Sequence, residues 1–273
     1  MDSFTNAGYR FDVDDAGPAD GPVVILLHGF PEDRHSWAGV TPALNAAGYR
    51  TLAPDQRGYS PGAQPRRRRE YTMEHLTGDV FALADAAGAD RFHVVGHDWG
   101  ANLAWHLAAR HAERIRSLTA LSVPHPQAVQ RAFWRSTQAL RLYYMLFFQL
   151  PAVPEWLLRR PGLMRRSLVS SGLDTESADR YAARAGAMTG PLNWYRALPY
   201  PAHGGKMPKV TVPTLFVWGE RDRFVTPTAA AGCGAWVGGP FTYHPLPGVS
   251  HWIPEEVPAR TAGLVLELLQ SCR

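Results

Sequence analysis

Short apolar runs that alternate with helical patterns are the feature that most constrains the fold of this chain. Within the first 124 residues these runs are PVVILLHG, YRTLAPD, RFHVVGHD and IRSLTALSV. Continuous apolar runs of this length are typical of strands that are buried on both faces of a parallel sheet. The alternation therefore predicts an α/β fold with a mostly parallel, doubly wound sheet.

The helical patterns between these runs carry their own start and stop signals. The segment HSWAGVTPALNAAG ends at Gly48, and the segment TMEHLTGDVFALADAAG has Thr72 as an N-cap and stops at Gly88. Glycine is favoured just after a helix because it adopts a left-handed conformation easily. A further helix is predicted from Trp99 to about His111, and IPEEVPARTAGLVLELLQS predicts a closing helix.

The middle of the chain lacks this alternation. From about His125 to about His203, prolines and glycines punctuate helical segments, and no convincing strand is found. Strand patterns return with VPTLFVWGERD and FTYHPLPGVSH, before the closing helix. We therefore predict a core of residues 1–124 and 205–273 and a helical cap, or lid, inserted at residues 125–204. A pocket between two such parts is the usual place for an active site.

Charge and composition exclude several classes of protein. The formal net charge is +4, and the only concentrated basic run, RRRRE at Arg66–Glu70, lacks interleaved aromatic residues. We interpret this run as a solvated loop and not as a nucleic-acid site, with contact to an acidic partner or ligand as the alternative. The most apolar segment, LRLYYMLFFQLPAVPEWLL, is interrupted by Pro151 and Pro154 before it reaches spanning length. No membrane partner is therefore predicted.

A few features bear on the cellular location. The N-terminal segment MDSFTNAGYRFDVDD lacks the basic and apolar regions of a signal peptide. Cys233 and Cys272 fit neither a disulfide framework nor a zinc pattern, so we expect both to be reduced, as in the cytoplasm. Lys206 and Lys209 are greatly outnumbered by arginine within a total of 28 basic residues, which suggests a GC-rich, bacterial coding sequence.

The stretch GHDWG, at residues 96–100, joins a predicted strand to a predicted helix. Gly96 and Gly100 flank Asp98 at two-residue spacing. The nucleophile elbow G-x-S-x-G has this pattern, because its glycines let the strand and the helix approach closely while the apical side chain points over the carboxyl ends of the strands. The pattern alone is equally compatible with an aspartate that caps the helix at Trp99.

Two later residues lie where an aspartate nucleophile would need its partners. Asp222 ends the strand pattern TLFVWGERD, and His251 follows PLPGVS. Taken singly, each residue could be an ordinary turn former or a surface-loop histidine. With Asp98 they follow the order nucleophile, acid, histidine, each after a predicted strand, which favours a catalytic triad.

Five motifs together resemble the α/β-hydrolase superfamily and, within it, the soluble epoxide hydrolases. They are HGFPE at residues 28–32, GHDWG at 96–100, NWYR at 193–196, GERDRFV at 219–225 and GVSHW at 248–252. The resemblance extends from about Val23 to the C-terminus. It implies an α/β-hydrolase fold, with an eight-stranded-type, mostly parallel sheet, helices on both faces and a helical cap. It also implies an enzyme that needs no cofactor and no metal.

The aspartate at the apex has a chemical explanation. A carboxylate is already an anion at neutral pH, so it can attack a saturated carbon without first losing a proton. The product is an alkyl ester on Asp98, and water activated by His251, which Asp222 orients, then attacks the ester carbonyl. By the resemblance, the N–H groups of Phe30 and Trp99 form the oxyanion hole, and the product is a vicinal diol.

The leaving group distinguishes an epoxide from a halide. An epoxide oxygen leaves as a poor alkoxide and needs a proton donor, and the resemblance assigns this task to Tyr144 and Tyr195. The alternative is that both tyrosines are amphipathic core residues of the cap. A haloalkane-type dehalogenase with the same nucleophile, aided by the Trp99 indole, is the alternative activity. A ligand-binding homologue without turnover is a third possibility.

The resemblance and the aromatic content of the cap suggest further contacts. We expect a small hydrophobic or aryl epoxide as the substrate and consider a homodimer possible. Residues predicted to contact the substrate are Trp99, Phe30, Trp194 and Phe148. Residues predicted to support the oxyanion loop are His28, Gly29 and Pro31, of which Pro31 is expected to follow a cis bond.

Overall fold

A computed structural model describes residues 1–200 and 206–272 of the chain. Eight described strands form one sheet in the order β1-β2-β4-β3-β5-β6-β7-β8. The pairs β1–β2 and β2–β4 are antiparallel, and every later pair is parallel. The strands are β1 (Ser3–Asn6), β2 (Tyr9–Ala16), β3 (Val23–Leu27), β4 (Arg50–Pro54), β5 (Phe92–His97), β6 (Ile115–Leu121), β7 (Thr214–Gly219) and β8 (Phe241–Leu246). The predicted mostly parallel α/β sheet is therefore confirmed.

Helices cover both faces of this sheet. The described α-helices are α1 (Thr41–Ala46), α2 (Met73–Ala86), α3 (Trp99–Arg110), α4 (Pro126–Phe133), α5 (Gln138–Arg141), α6 (Tyr143–Phe147), α7 (Val153–Leu158), α8 (Leu163–Ser170), α9 (Thr175–Ala183), α10 (Thr189–Arg196), α11 (Pro227–Ala231), α12 (Ile253–Glu256) and α13 (Pro258–Ser271). Short 3-10 turns at residues 34–37, 68–71, 185–187 and 233–236 connect some of them. None of the described helices combines the length and the apolar character that crossing a membrane would require.

The central strands are buried on both faces, as their continuous apolar runs indicate. In β3, Ile25 and Leu27 pack in the hydrophobic cluster that holds α2 and α3, whereas Val24 and Leu26 pack in the cluster on the α1 and α13 side. Successive side chains of a strand point to opposite faces, so one run of five apolar residues serves two cores. Burying each such side chain stabilises the fold by roughly 1.5–3 kcal/mol.

Helix ends largely follow the sequence signals. Gly48 and Gly88 adopt positive φ angles of 90° and 73°, directly after α1 and α2. Thr72 stands at the N-cap position of α2, but its side chain makes no capping hydrogen bond. The predicted helix over residues 35–48 is instead a 3-10 turn followed by the short helix α1. The closing helix is broken before Pro258, because proline lacks an N–H donor and restricts the backbone of Val257.

The described part of the chain between β6 and β7 is helical, from α4 to α10, with one isolated bridge at Val210. Its contacts reach the carboxyl edge of the sheet: Arg141 donates to the carbonyls of Asp222 and Val225, and Trp194 donates to the carbonyl of Arg57. The predicted boundary between cap and core, at residues 204 and 205, lies outside the described residues. So do His203, at which we ended the helical block, and Arg273, at which we ended the core.

Candidate active site

Asp98 stands at the turn between β5 and α3, in a backbone conformation that is rare for a residue with a side chain. Its φ and ψ angles are 50° and −116°. Such angles cost roughly 1–3 kcal/mol and persist only where the surroundings enforce them. A Cβ atom on Gly96 would collide with the backbone of Gly100, and one on Gly100 would collide with the Leu27 carbonyl. The two glycines therefore permit the close strand–helix approach that holds Asp98 in this turn.

The side chain of Asp98 does not cap α3. It makes no capping hydrogen bond to the helix, although Asp98 occupies the N-cap position. Its Oδ1 accepts a hydrogen bond of 2.8 Å from the Phe30 N–H, and its Oδ2 lies 3.5 Å from Nε2 of His251. The geometry thus favours the elbow over the capping alternative. Among the described residues no hydrogen bond joins the Trp99 N–H to this carboxylate, so only one of the two predicted oxyanion donors is in place.

The loop that brings Phe30 to Asp98 matches the predicted supporting motif. The Phe30–Pro31 peptide bond is cis. A Cβ atom on Gly29 would collide with the side chain of Asp98, so only glycine allows this approach. His28 is fully buried, with Nδ1 2.9 Å from the Gly29 carbonyl and Nε2 3.2 Å from the backbone N–H of Gln56. His28 therefore braces the loop from behind and does not face the cavity.

His251 and Asp222 come together at the carboxyl ends of β8 and β7. Nδ1 of His251 lies 2.7 Å from Oδ2 of Asp222. The other oxygen of Asp222 accepts hydrogen bonds from the N–H groups of Phe224 and Val225, at 2.6 and 3.0 Å. Asp222 is thereby fixed as an acceptor, which orients the imidazole so that Nε2 points at Asp98.

Charges in this group strongly shift the protonation of its members. Burial would lower the pKa of His251, but the carboxylates of Asp222 and Asp98 outweigh burial and raise that pKa to about 10. Burial alone would raise the pKa of Asp98, but the hydrogen bond and charge of His251 lower it below its ordinary value. In the resting site the imidazole is therefore a cation between two carboxylates.

A second histidine–carboxylate pair lies directly behind His251, and sequence reasoning missed it. Nδ1 of His97 lies 2.7 Å from Oε1 of Glu32, and its Nε2 lies 2.8 Å from the His251 carbonyl. Both ring nitrogens face oxygen acceptors, and the charge of Glu32 raises the pKa of His97 despite its complete burial. Ser122 donates to the same His251 carbonyl at 2.6 Å. Glu32 stands in HGFPE and His97 in GHDWG, but nothing in either motif marks the two residues as a pair.

The two predicted tyrosines meet above Asp98. Tyr144, from α6, and Tyr195, from α10, both line the cavity, with ring centroids 6.0 Å apart. Burial and the charge of Asp98 raise the pKa of Tyr144, and burial and Tyr144 raise that of Tyr195. Both phenols therefore remain protonated and can act as donors at neutral pH. The Trp99 side chain also hydrogen-bonds to the Tyr195 hydroxyl, and this contact partly offsets the rise in the pKa of Tyr195.

Asp98, the two tyrosines and His251 open onto one large cavity of about 1130 Å³. Trp99 also lines it, as predicted for a substrate contact. Phe30, Phe148 and Trp194 are not among the described residues that line this cavity, and their contacts with a substrate stay predictions. The Trp194 indole is instead buried and donates to Arg57, while Phe148 packs against the ring of Tyr195. These aromatic rings support the tyrosines from outside the cavity.

Within the described residues, no group of three or more histidine, cysteine, aspartate or glutamate side chains could hold a metal ion. Cys233 and Cys272 are both free thiols.

The eight-stranded sheet, with its strand–turn–helix elbow at the carboxyl edge, defines the class of α/β hydrolases. A family model described as alpha/beta hydrolase fold matches residues 22–258, and the chain belongs to this family.

Relatives and solved structures show which proteins of this family the chain is similar to. The chain is 35% identical to "AB hydrolase superfamily protein YfhM" of Bacillus subtilis, over 97% of this chain and 96% of that protein. It is also 35% identical to "Epoxide hydrolase A" of Mycobacterium tuberculosis, over 96% of this chain and 94% of that protein. Among solved structures it is similar to one of the "Novel epoxide hydrolases belonging to the alpha/beta hydrolases superfamily in metagenomes from hot environments". That likeness has a TM-score of 0.84 and 29% identity and covers 98% of this chain and 97% of the other.

Proposed function

We propose that this chain is an epoxide hydrolase that opens an epoxide with water to a vicinal diol through an alkyl ester on Asp98. The observation that carries the proposal is the Asp98 carboxylate, which has Oδ1 bonded to the Phe30 N–H and Oδ2 free to face the cavity and His251. The names of relatives that are aligned over nearly the whole chain support the same activity.

In the first step, Oδ2 of Asp98 attacks one carbon of the oxirane, and the carbon–oxygen bond of the ring breaks. The lowered pKa of Asp98 keeps the carboxylate ionised for this attack. The departing oxygen takes up a proton that Tyr144 or Tyr195 supplies, because both hydroxyls lie at the cavity wall and remain protonated. A hydrogen bond received from the Trp99 side chain would leave the Tyr195 proton free for this task.

In the second step, water attacks the carbonyl carbon of the ester and His251 accepts the water proton. The bond between this carbon and Oδ2 then breaks, and the diol leaves with that oxygen and with the proton that His251 returns. Esterification removes the charge of Asp98, one of the two carboxylates that raise the pKa of His251. The imidazole can then lose its proton and act as a base. Negative charge develops on Oδ1, where the Phe30 N–H already donates. One such donor typically lowers the barrier by about 3–4 kcal/mol.

The test traps the ester. A His251→Gln variant that is mixed with a reactive epoxide should gain the mass of the substrate, because the ester forms but is not hydrolysed. The same variant with Asp98→Ala added is the matched control and should gain nothing. Peptide mapping should locate the adduct on residue 98. An active wild-type enzyme whose His251→Gln variant never carries an adduct would disprove the ester mechanism.

A halide-releasing activity is the second candidate, because Trp99 lines the cavity and its indole could bind a halide. The hydrogen bond between Trp99 and Tyr195 weighs against it, since that indole already serves the tyrosine. Halide release from 1-haloalkanes without diol from epoxides would select this function. Ligand-induced shifts in Tm without any product would instead select a ligand-binding homologue.

Four finer statements belong to the same proposal. Residues 125–204 form a cap over a core of residues 1–124 and 205–273. The substrate is a hydrophobic or aryl epoxide, in keeping with the aromatic side chains around Asp98. The chain acts in the cytoplasm of a bacterium, which its free thiols support.

A homodimer would cover part of the exposed apolar surface of the helical segment, and analytical ultracentrifugation would detect such a dimer. The exposed large apolar side chains of the helical segment are Phe133, Trp134, Leu140, Tyr143, Leu146, Leu150, Val153 and Trp156.

A further inference from the structure

One wall of the cavity is polar although none of the triad residues stands on it. This polar wall consists of Asn102 and His106 on α3 and of Gln127 and Gln130 on α4. The cavity is also lined by apolar side chains, among them Phe133, Leu142, Met145 and Leu146. A substrate that is apolar throughout would leave the amides of Asn102, Gln127 and Gln130 facing only apolar groups. The arrangement therefore points to a ligand with two chemically different parts.

Two residues of the polar wall, Asn102 and His106, lie on the same side of α3 as the nucleophile. Asp98, Asn102 and His106 follow one another at intervals of four residues and line the same cavity. With a rise of 1.5 Å per residue, Asn102 and His106 stand about 6 and 12 Å beyond Asp98 along α3. Residues four apart also share one face of a helix. A substrate bonded to Asp98 can therefore extend along this face and reach both side chains.

The amides of the polar wall are not used by the protein itself. Two other glutamines of the cavity are: Gln138 bonds Phe224 and Thr226, and Gln149 bonds the Tyr195 carbonyl. In contrast, the side chains of Asn102 and Gln130 hydrogen-bond to no described residue. Oε1 of Gln127 is buried without a partner in the described part of the chain. Buried polar atoms are nearly always hydrogen-bonded, so the unpartnered Oε1 of Gln127 indicates a partner that enters the cavity from outside.

The charge and size of the cavity restrict that partner. Amide groups both donate and accept hydrogen bonds, but they do not balance a full charge. The fixed cation among the described lining residues is Lys206, and its side chain is exposed. The volume of about 1130 Å³ exceeds the roughly 300–1,000 Å³ of most ligand pockets. A small aryl epoxide alone would leave most of this space unfilled.

We infer that the polar wall of Asn102, His106, Gln127 and Gln130 is a subsite for an uncharged hydrogen-bonding group, such as an amide or a hydroxyl, on a large amphipathic epoxide. The inference rests on the proposed epoxide hydrolysis at Asp98 and specifies its substrate class. The polar group stands about one to two helical turns from the oxirane, and the apolar part of the substrate lies against Phe133, Leu142, Met145 and Leu146.

The test compares three straight-chain terminal epoxides of equal length, which end in a methyl group, a primary amide or a carboxylate. The chain is chosen long enough to reach His106 from Asp98. Wild-type enzyme should give the highest kcat/KM with the amide. The double variant Asn102→Leu, Gln127→Leu should lower the amide-to-methyl ratio of kcat/KM by about 5- to 10-fold, the effect of losing one or two hydrogen bonds.

Val129→Leu is the matched control, since Val129 lies on α4 and lines the same cavity without a hydrogen-bonding group. It changes the shape of the cavity but should leave the amide-to-methyl ratio unaltered. Because each variant is compared with its own turnover of the methyl substrate, partial misfolding cancels from the ratio.

Three results overturn the inference, and they distinguish a wrong subsite from a wrong function. If the wild-type enzyme opens the methyl epoxide but prefers the carboxylate, or if the double variant keeps the wild-type ratio, the polar subsite is wrong and the epoxide hydrolase stands. If no epoxide is opened by the wild-type enzyme, the proposed function itself fails and the inference fails with it.

Discussion

His251 lies between two carboxylates, and this position predicts a pH-dependent rate for ester hydrolysis but not for ester formation. Asp98 has a lowered pKa, so ester formation should vary little between about pH 6 and pH 9. Ester hydrolysis requires neutral His251, whose pKa stays raised by Asp222 even after Asp98 is esterified. The hydrolysis rate should therefore fall as the pH falls, and stopped-flow measurements should show more accumulated ester at pH 6 than at pH 9.

Asp222→Asn provides the internal check on this pH response. It removes the remaining carboxylate, so the inflection of the hydrolysis rate should move to lower pH while the rate itself falls. A hydrolysis rate that is independent of pH in the wild-type protein would contradict the role of His251 as the base.

Glu255 is a buried carboxyl group whose surroundings disfavour its negative charge. Its Oε1 accepts a 2.7 Å hydrogen bond from the Tyr181 hydroxyl. Burial and the negative charge of Glu32 raise its pKa to about 8, and the positive charge of His97 only partly offsets them. The folded state thus binds this proton more tightly than the unfolded chain does. The resulting stability is present at low pH and is lost as the pH rises towards 8.

Replacing Glu255 by glutamine should remove that loss. Glutamine keeps an oxygen that can accept from Tyr181 but carries no charge. Glu255→Gln should therefore raise Tm more at pH 9 than at pH 5, as followed by circular dichroism. Glu267→Gln, on the exposed face of α13, is the control and should change Tm equally at both values. An equal shift for Glu255→Gln at the two pH values would contradict the assigned charge effect.

The residues of the site were predictable to the extent that their chemistry shows in short motifs. Asp98, Asp222 and His251 follow predicted strands in a fixed order, and the structure brings their side chains together. The Glu32–His97 pair was missed because a buried ion pair shows no periodicity or spacing that sets it apart. Trp194 is not among the described residues that line the cavity, and an aromatic residue inside a motif has no mark that tells a cavity wall from a supporting layer.

The strand–turn–helix element around Asp98 predicts a strong dependence on glycine. A Cβ atom on Gly100 would collide with the Leu27 carbonyl, which is backbone and cannot move aside. Gly100→Ala should therefore destabilise the protein by about 2 kcal/mol or more and reduce ester formation further than its lower stability explains. Chemical denaturation and single-turnover kinetics measure the two effects.

Gly263 is the matched control within another helix. It is exposed inside α13, and a Cβ atom there would meet nothing within 4 Å. Gly263→Ala should therefore stabilise the protein by about 0.5–1 kcal/mol. If both alanine variants were equally stable, the close approach at the elbow would not be what requires glycine at position 100.

Elements with a clear hydrophobic pattern were predictable, and elements at the edge of the sheet were not. The strands β3 to β7 were recognisable because they are buried on both faces. The hairpin of β1 and β2 was missed because its strands are partly exposed and carry charged side chains, such as Asp12 and Asp14, that break any apolar run. Pairing with β4 holds them in the sheet, and that tertiary contact is not visible in local sequence.

At the scale of the whole molecule, the helical segment between β6 and β7 is joined to the sheet by polar contacts. Arg184, at the end of α9, donates to Asp33 and to the Tyr59 carbonyl, both at 2.8 Å. Burial would raise the pKa of Asp33, but the hydrogen bond from Arg184 keeps it lowered. Removing the arginine would leave a buried carboxylate with less compensation, so the two parts of the molecule should separate more easily.

Arg184→Met should lower the free energy of unfolding by about 1–3 kcal/mol, the usual value of hydrogen bonds to a charged group. It should also speed proteolysis within residues 125–200 before the sheet is cut, because the helical segment would detach first. Arg165→Met is the matched control: Arg165 pairs with Asp179 at an exposed site, where such pairs contribute about 0–1 kcal/mol. If both variants were cleaved at the wild-type rate and in the same order, then Arg184 would not hold the helical segment against the sheet. The helical segment would then be held by its other contacts with the sheet, such as those of Arg141 with the carbonyls of Asp222 and Val225.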